Sequence, residues 1–167
     1  PATAAAFVDG WLYTGDIGEI DGEGFLKITD RKKDILVTAG GKNVAPQNIE
    51  NQIKPFGGIS QVVVVGDKRK FLSALITIDP VEMAKILELD LPPMADCVDH
   101  KAVVQIVQSY VDSVNGTLAS YETVKKFKIL PRDFSVEDGE LTPTLKVKRR
   151  VVQKQYEGLI DSMYDEK

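Results

Sequence analysis

Two neighbouring runs constrain the folding options of this chain more than anything else in it. Gln61-Val62-Val63-Val64-Val65-Gly66 and Phe71-Leu72-Ser73-Ala74-Leu75-Ile76-Thr77-Ile78 are strand-length and rich in apolar and β-branched residues, and the polar turn Asp67-Lys68-Arg69-Lys70 divides them. They predict two adjacent strands, and residues 124–130 read as a later one. Helical spacing governs most of what lies between and beyond. A helix opens at Asp79-Pro80, carries Met83, Ile86 and Leu87, and stops at Pro92-Pro93. A longer one carries Val98, Ala102, Val103, Ile106, Val107, Tyr110, Val111 and Val114 and ends at Asn115-Gly116. A terminal helix is expected over residues 147–163, with Val151, Val152, Tyr156, Leu159, Ile160 and Met163 on one stripe. Strands and helices mix without strict βαβ alternation, so the expectation is an α+β domain with a small mixed sheet of about three to five strands.

Upstream, Ile17-Gly18-Glu19-Ile20 and Gly24-Phe25-Leu26-Lys27-Ile28 flank Asp21-Gly22-Glu23, a link that closes a β-hairpin. Residues 34–37 form a short strand. Gly40-Gly41 follows, where positive φ and close approach of a ligand to the backbone are permitted. Pro46 suits the first position of a helix that buries Ile49 and Ile53, with Val44 a candidate for the same side.

At 167 residues there is room for one compact domain and a small appendage. A net charge of −4 gives no general attraction to nucleic acid. Cys97 stands alone, so no internal disulfide forms, and a reducing compartment fits. His100 is the only histidine and falls on a helical surface pattern, leaving no constellation for a metal or a Ser-His-Asp triad. The opening Pro1-Ala2-Thr3-Ala4-Ala5-Ala6 lacks the features of a signal peptide and reads as a cut within a longer protein.

Three motifs carry chemistry. In Gly10-Trp11-Leu12-Tyr13-Thr14-Gly15-Asp16, the carboxylate of Asp16 can accept both hydroxyls of a ribose, although Thr14-Gly15-Asp16 alone equally makes a turn. Asp30-Arg31-Lys32-Lys33-Asp34 leads into Gly40-Gly41-Lys42-Asn43, which lacks the Walker A pattern. Lys146 follows Leu141-Thr142-Pro143-Thr144-Leu145, a stiff approach from the mobile-looking acidic stretch 135–140. Alone, Lys146 with Lys148, Arg149 and Arg150 would read as a solvated basic face.

In order and spacing, these motifs resemble the adenylate-forming superfamily of acyl-CoA synthetases, firefly-type luciferases and peptide-synthetase adenylation domains. The resemblance spans nearly the whole chain. It implies that residues 1–32 are the edge of a large N-terminal adenylation domain and residues 33–167 a C-terminal lid. By the same resemblance Asp16, with Tyr13 and Thr14, holds the nucleotide ribose, Arg31 assists at ribose and phosphates, and Lys33 is the hinge. Gly40, Gly41 and Lys42 face the pantetheine arm of CoA, and Lys146 bridges the α-phosphate and the acyl carboxylate. The common pattern has Ser-Gly before that lysine, and the Thr144-Leu145 found here is similar to long-chain and very-long-chain, bubblegum-type, fatty acid–CoA ligases.

ATP, CoA and Mg2+ are the implied cofactors, fatty acid the implied substrate, and the absent N-terminal adenylation domain the implied partner. The fragment alone is expected to be inactive. A cytoplasmic setting follows, with peripheral membrane association compatible with the handling of fatty acids. Two alternatives stay open: another adenylate-forming enzyme, such as an aryl or short-chain acyl-CoA ligase or a peptide-synthetase adenylation domain, and a non-catalytic α+β interaction module.

Overall fold

A computed structural model describes residues 6–165. Its centre is a mixed three-stranded sheet: β7 (Ile59–Val65) pairs antiparallel with β8 (Leu72–Ile78), which pairs parallel with β9 (Val124–Ile129). Every residue of β8 is buried. Alternation along the strands sends Val62, Val64, Leu72, Ala74 and Ile76 into one core and Val63, Val65 and Leu75 into another. Helices cover both faces, which is why the β7 run is continuously apolar rather than alternating.

On the first face lie α1 (Pro46–Ile53), α2 (Pro80–Leu87) and α3 (Lys101–Asn115). Asp79 caps α2 by accepting from Val81 N–H at 2.9 Å and Glu82 N–H at 3.1 Å. α3 buries Val103, Val107, Val111 and Val114, spaced four, four and three residues apart. At its end Asn115 exchanges two hydrogen bonds with the Val124 backbone, of 2.8 and 2.9 Å, and so fixes where β9 begins.

The second face carries α4 (Arg149–Gln155) and α5 (Glu157–Ser162). A single terminal helix was expected here. The chain instead breaks at Tyr156, whose hydroxyl is drawn to Glu140 and whose ring packs against Phe134. Val151, expected on the buried stripe, is 38% exposed, whereas Val152, Ile160 and Met163 are buried. His100 precedes α3 at its N-cap position instead of lying on the helix surface.

Ahead of the sheet come three two-stranded ribbons: β1 (Phe7–Val8) with β2 (Trp11–Leu12), β3 (Asp16–Ile20) with β4 (Leu26–Arg31), and β5 (Leu36–Val37) with β6 (Asn43–Val44). The first turns through Asp9-Gly10, both at positive φ (51° and 82°), a hairpin dipeptide. The first two ribbons and the residues beside them are unusually apolar for solvent: Trp11, Leu12, Tyr13, Phe25, Leu26 and Ile28 are each more than half exposed. Among the described residues no helix is long and apolar enough to cross a membrane.

Candidate functional site

The β3–β4 ribbon places Asp16 directly opposite Arg31, and Arg31 Nε lies 3.0 Å from Asp16 Oδ1. Gly15 reaches φ +77°, which only glycine adopts at little cost, and its carbonyl accepts from Lys32 N–H at 2.8 Å. Thr14 Oγ1 accepts from Asp16 N–H at 3.1 Å, so Thr14 orients Asp16 through its backbone. Tyr13 is exposed beside them. The predicted ribose-binding residues are therefore neighbours, and the Asp16–Arg31 pair stays accessible, with side chains 26% and 52% exposed.

Lys33 sits exposed in the turn that leaves β4, where Asp34 N–H closes onto Arg31 O at 2.9 Å. Gly40, Gly41 and Lys42 form the turn between β5 and β6. Gly41 N–H donates to Thr38 O at 2.8 Å and Lys42 N–H to Thr38 Oγ1 at 3.2 Å. Those amides are thus spent inside the turn, and the loop is not a phosphate cradle of free N–H groups. Its outer surface is open: no atom lies within 4 Å of where a Cβ on Gly41 would stand, at φ +74°. Lys42 Nζ lies 5.7 Å from the Tyr121 ring centroid.

Lys146 occupies a tight hairpin. Leu141 and Val147 form a β-bridge, Thr142 N–H donates to Lys146 O and Leu145 N–H to Thr142 O, each at 2.8 Å, and Thr142 Oγ1 accepts from Lys146 N–H at 3.0 Å. Leu145 adopts φ +58°, the left-handed conformation that glycine takes most easily. The Lys146 side chain is exposed and forms no ion pair among the described residues.

Two carboxylates brace this hairpin, one fully and one largely buried, and neither was expected from sequence. Glu140 has no exposed surface. It accepts from Arg132 Nη1 at 2.7 Å and Nη2 at 2.9 Å, from Ser135 N–H at 3.0 Å and from Tyr156 Oη–H at 3.1 Å. Its own carbonyl takes Lys148 N–H at 2.7 Å. The acidic stretch 135–140, read from sequence as mobile, is therefore a pinned turn ending on a satisfied core carboxylate.

Beyond the lysine, Arg149 Nη2 reaches both oxygens of Glu50 on α1 (2.7 and 2.8 Å), while its Nη1 donates to Val64 O at 2.8 Å. Val64 N–H closes the network on Glu50 Oε1 at 2.7 Å. Burial pushes the Glu50 carboxyl up, against the opposing pull of Arg149 and the Val64 amide. Arg149 thus leaves the solvated basic face to which sequence assigned it. Among the described residues, no hydrogen bond or ion pair joins Lys146 or the glycine loop to the Asp16–Arg31 pair. No group of three or more His, Cys, Asp or Glu is arranged for a metal among them either.

The long-chain-fatty-acid–CoA ligase FadD15 of Mycobacterium tuberculosis is 44% identical over 168 residues, covering 98% of this chain and 28% of that protein. The human long-chain-fatty-acid–CoA ligase ACSBG1 is 38% identical over 179 residues, covering 95% of this chain and 25% of that protein. The chain thus spans about a quarter of the length of these relatives. Among solved structures, the adenylation domain of a carboxylate reductase from Mycobacterium chelonae superposes with a TM-score of 0.80 at 28% identity, over 98% of this chain and 24% of that one. The corresponding domain from Segniliparus rugosus, in complex with AMP and a co-purified carboxylic acid, gives 0.78 at 26% identity, over 98% of this chain and 25% of that one. The family model for the AMP-binding enzyme C-terminal domain matches residues 33–167, and the chain belongs to that family.

Proposed function

We propose that this chain is the C-terminal part of an ATP-dependent long-chain fatty acid–CoA ligase, which forms an acyl-adenylate with release of pyrophosphate and then acyl-CoA with release of AMP. The observation that carries the reading is the accessible Asp16–Arg31 pair, set across adjacent strands in a chain whose relatives carry that ligase name. Asp16 accepts the ribose hydroxyls and Arg31 steadies ribose and phosphates, with Tyr13 and Thr14 completing the edge.

Attack of a carboxylate on the α-phosphate brings two anions together, so a positioned cation supplies much of the catalysis. Lys146 is that cation: exposed, unpaired, and carried on a hairpin braced at both ends. Lys33 is the pivot about which residues 33–167 reorient as a lid, presenting the open face of Gly40, Gly41 and Lys42 to the pantetheine arm of CoA. The exposed apolar surface of β1–β4 packs against the remainder of an N-terminal adenylation domain. Mg2+ would be bound with ATP, its ligands mostly in the N-terminal adenylation domain. The whole enzyme works in the cytoplasm, in peripheral contact with the membranes that supply its fatty acid.

In the full-length protein, Lys146→Ala is expected to lower pyrophosphate release by roughly 10²–10³-fold. Thioester formation from supplied acyl-adenylate should survive. If both half-reactions run unimpaired, Lys146 is not the adenylation cation.

A further inference from the structure

Among the described residues, Asp30 is the one fully buried carboxylate that the proposed chemistry leaves unused on the nucleotide side. It has no exposed surface, and both its oxygens are engaged. Oδ1 accepts from Arg31 N–H at 2.6 Å, and Oδ2 accepts from Gln47 N–H at 3.1 Å. The second bond is the informative one. Gln47 is the second residue of α1, and the N-cap residue of that helix, Ala45, has no side chain able to satisfy its free amides. The cap comes instead from seventeen residues upstream, across the turn that holds Lys33.

Asp30 cannot travel with the helix it caps. It is locked into the β3–β4 ribbon, paired with Ile17, while its neighbour Arg31 is paired with Asp16. Rotation about Lys33 would therefore break the Asp30–Gln47 bond, leaving a buried carboxylate and a helix N-terminus to find new partners. We propose that Asp30 is a positioning residue, a latch that holds the lid in the orientation seen here and ties that orientation to the nucleotide-binding pair beside it. The proposal rests on the assignment of Lys33 as the hinge.

The test separates latch from hinge from simple stability. In the full-length protein, Asp30→Ala should change the ratio of the two half-reaction rates by roughly tenfold or more, the range of one hydrogen bond to a charged group. Tryptic cleavage at the exposed Lys32-Lys33 turn should accelerate with it. Adding Ala45→Ser supplies α1 with a cap of its own, inside the lid. The double variant should regain the thermal midpoint of the parent yet keep the altered ratio. A ratio that returns to the parent value along with stability would mean that Asp30 serves only the helix, and an unchanged ratio in Asp30→Ala would equally remove the latch. Lys33→Pro guards the premise: it should cripple CoA transfer and spare adenylation. Equal loss of both steps there overturns the hinge, and the latch with it.

Discussion

Two of the molecule's arginine–carboxylate pairs, Asp16–Arg31 and Glu50–Arg149, share a chemistry and differ in use. Asp16 and Arg31 face each other across an open ribbon, joined by one contact and substantially exposed. Glu50 and Arg149 are each only 13% exposed at the side chain, joined by a two-oxygen fork, and closed by the Val64 amide and carbonyl. Water competes for the first pair, so it contributes little to folding and remains available to a ligand. The second is largely withdrawn from water, and its donors and acceptors are spent on one another and on the Val64 backbone, so its role is structural. Burial, not residue identity, assigns the role.

The largest expected effect tests the buried member of this contrast. Arg149→Ala should destabilise the chain by about 3–5 kcal/mol, because the largely buried Glu50 loses its only cationic partner among the described residues and keeps just the Val64 amide. Urea unfolding at pH 7 measures it, and a loss within the range of a surface substitution would mean that Glu50 reaches solvent. Next, a double-mutant cycle on Asp16→Ala and Arg31→Ala should return a coupling of about 1 kcal/mol or less. A coupling as large as that of a buried pair would make Asp16–Arg31 a structural bridge and erase the distinction. The smallest effect concerns the hairpin that Arg149 anchors. Leu145 holds a left-handed conformation at a position where glycine pays no steric cost, so Leu145→Gly should gain up to about 1 kcal/mol. The thermal midpoint should rise slightly, and a fall would show that the exposed Leu145 side chain makes a stabilising contact.

The sheet was readable because β7 and β8 spell their burial in largely apolar runs, and β9 follows the same logic more weakly, with Lys125, Lys126 and Lys128 exposed. Asp16 and Arg31 were readable as partners only through the spacing of whole motifs. What escaped were residues whose burial contradicts their type. Asp30 stands in a run of charges, and Glu140 ends an acidic stretch, so both read as solvated until the fold supplies their donors. The break at Tyr156 has no proline to announce it, and its nearest glycine, Gly158, lies inside α5. Its cause is a hydroxyl committed to Glu140, a long-range contact that no local pattern encodes. Asp9-Gly10 was the opposite case: a local hairpin dipeptide lying in plain sight within a segment read only for its ligand chemistry.

The parallel pairing of β8 with β9 has a consequence for synthesis. An antiparallel partner could zip up as soon as it left the ribosome, but a parallel one must wait for a crossover, here everything between Ile78 and Val124. Until α3 forms and Asn115 seizes the Val124 backbone, the edge of β8 stands open, offering unpaired amides along a strand that is apolar except for Ser73 and Thr77. A nascent chain halted at that stage is the form most prone to aggregate, and chaperone demand should peak there and fall once residue 129 has emerged.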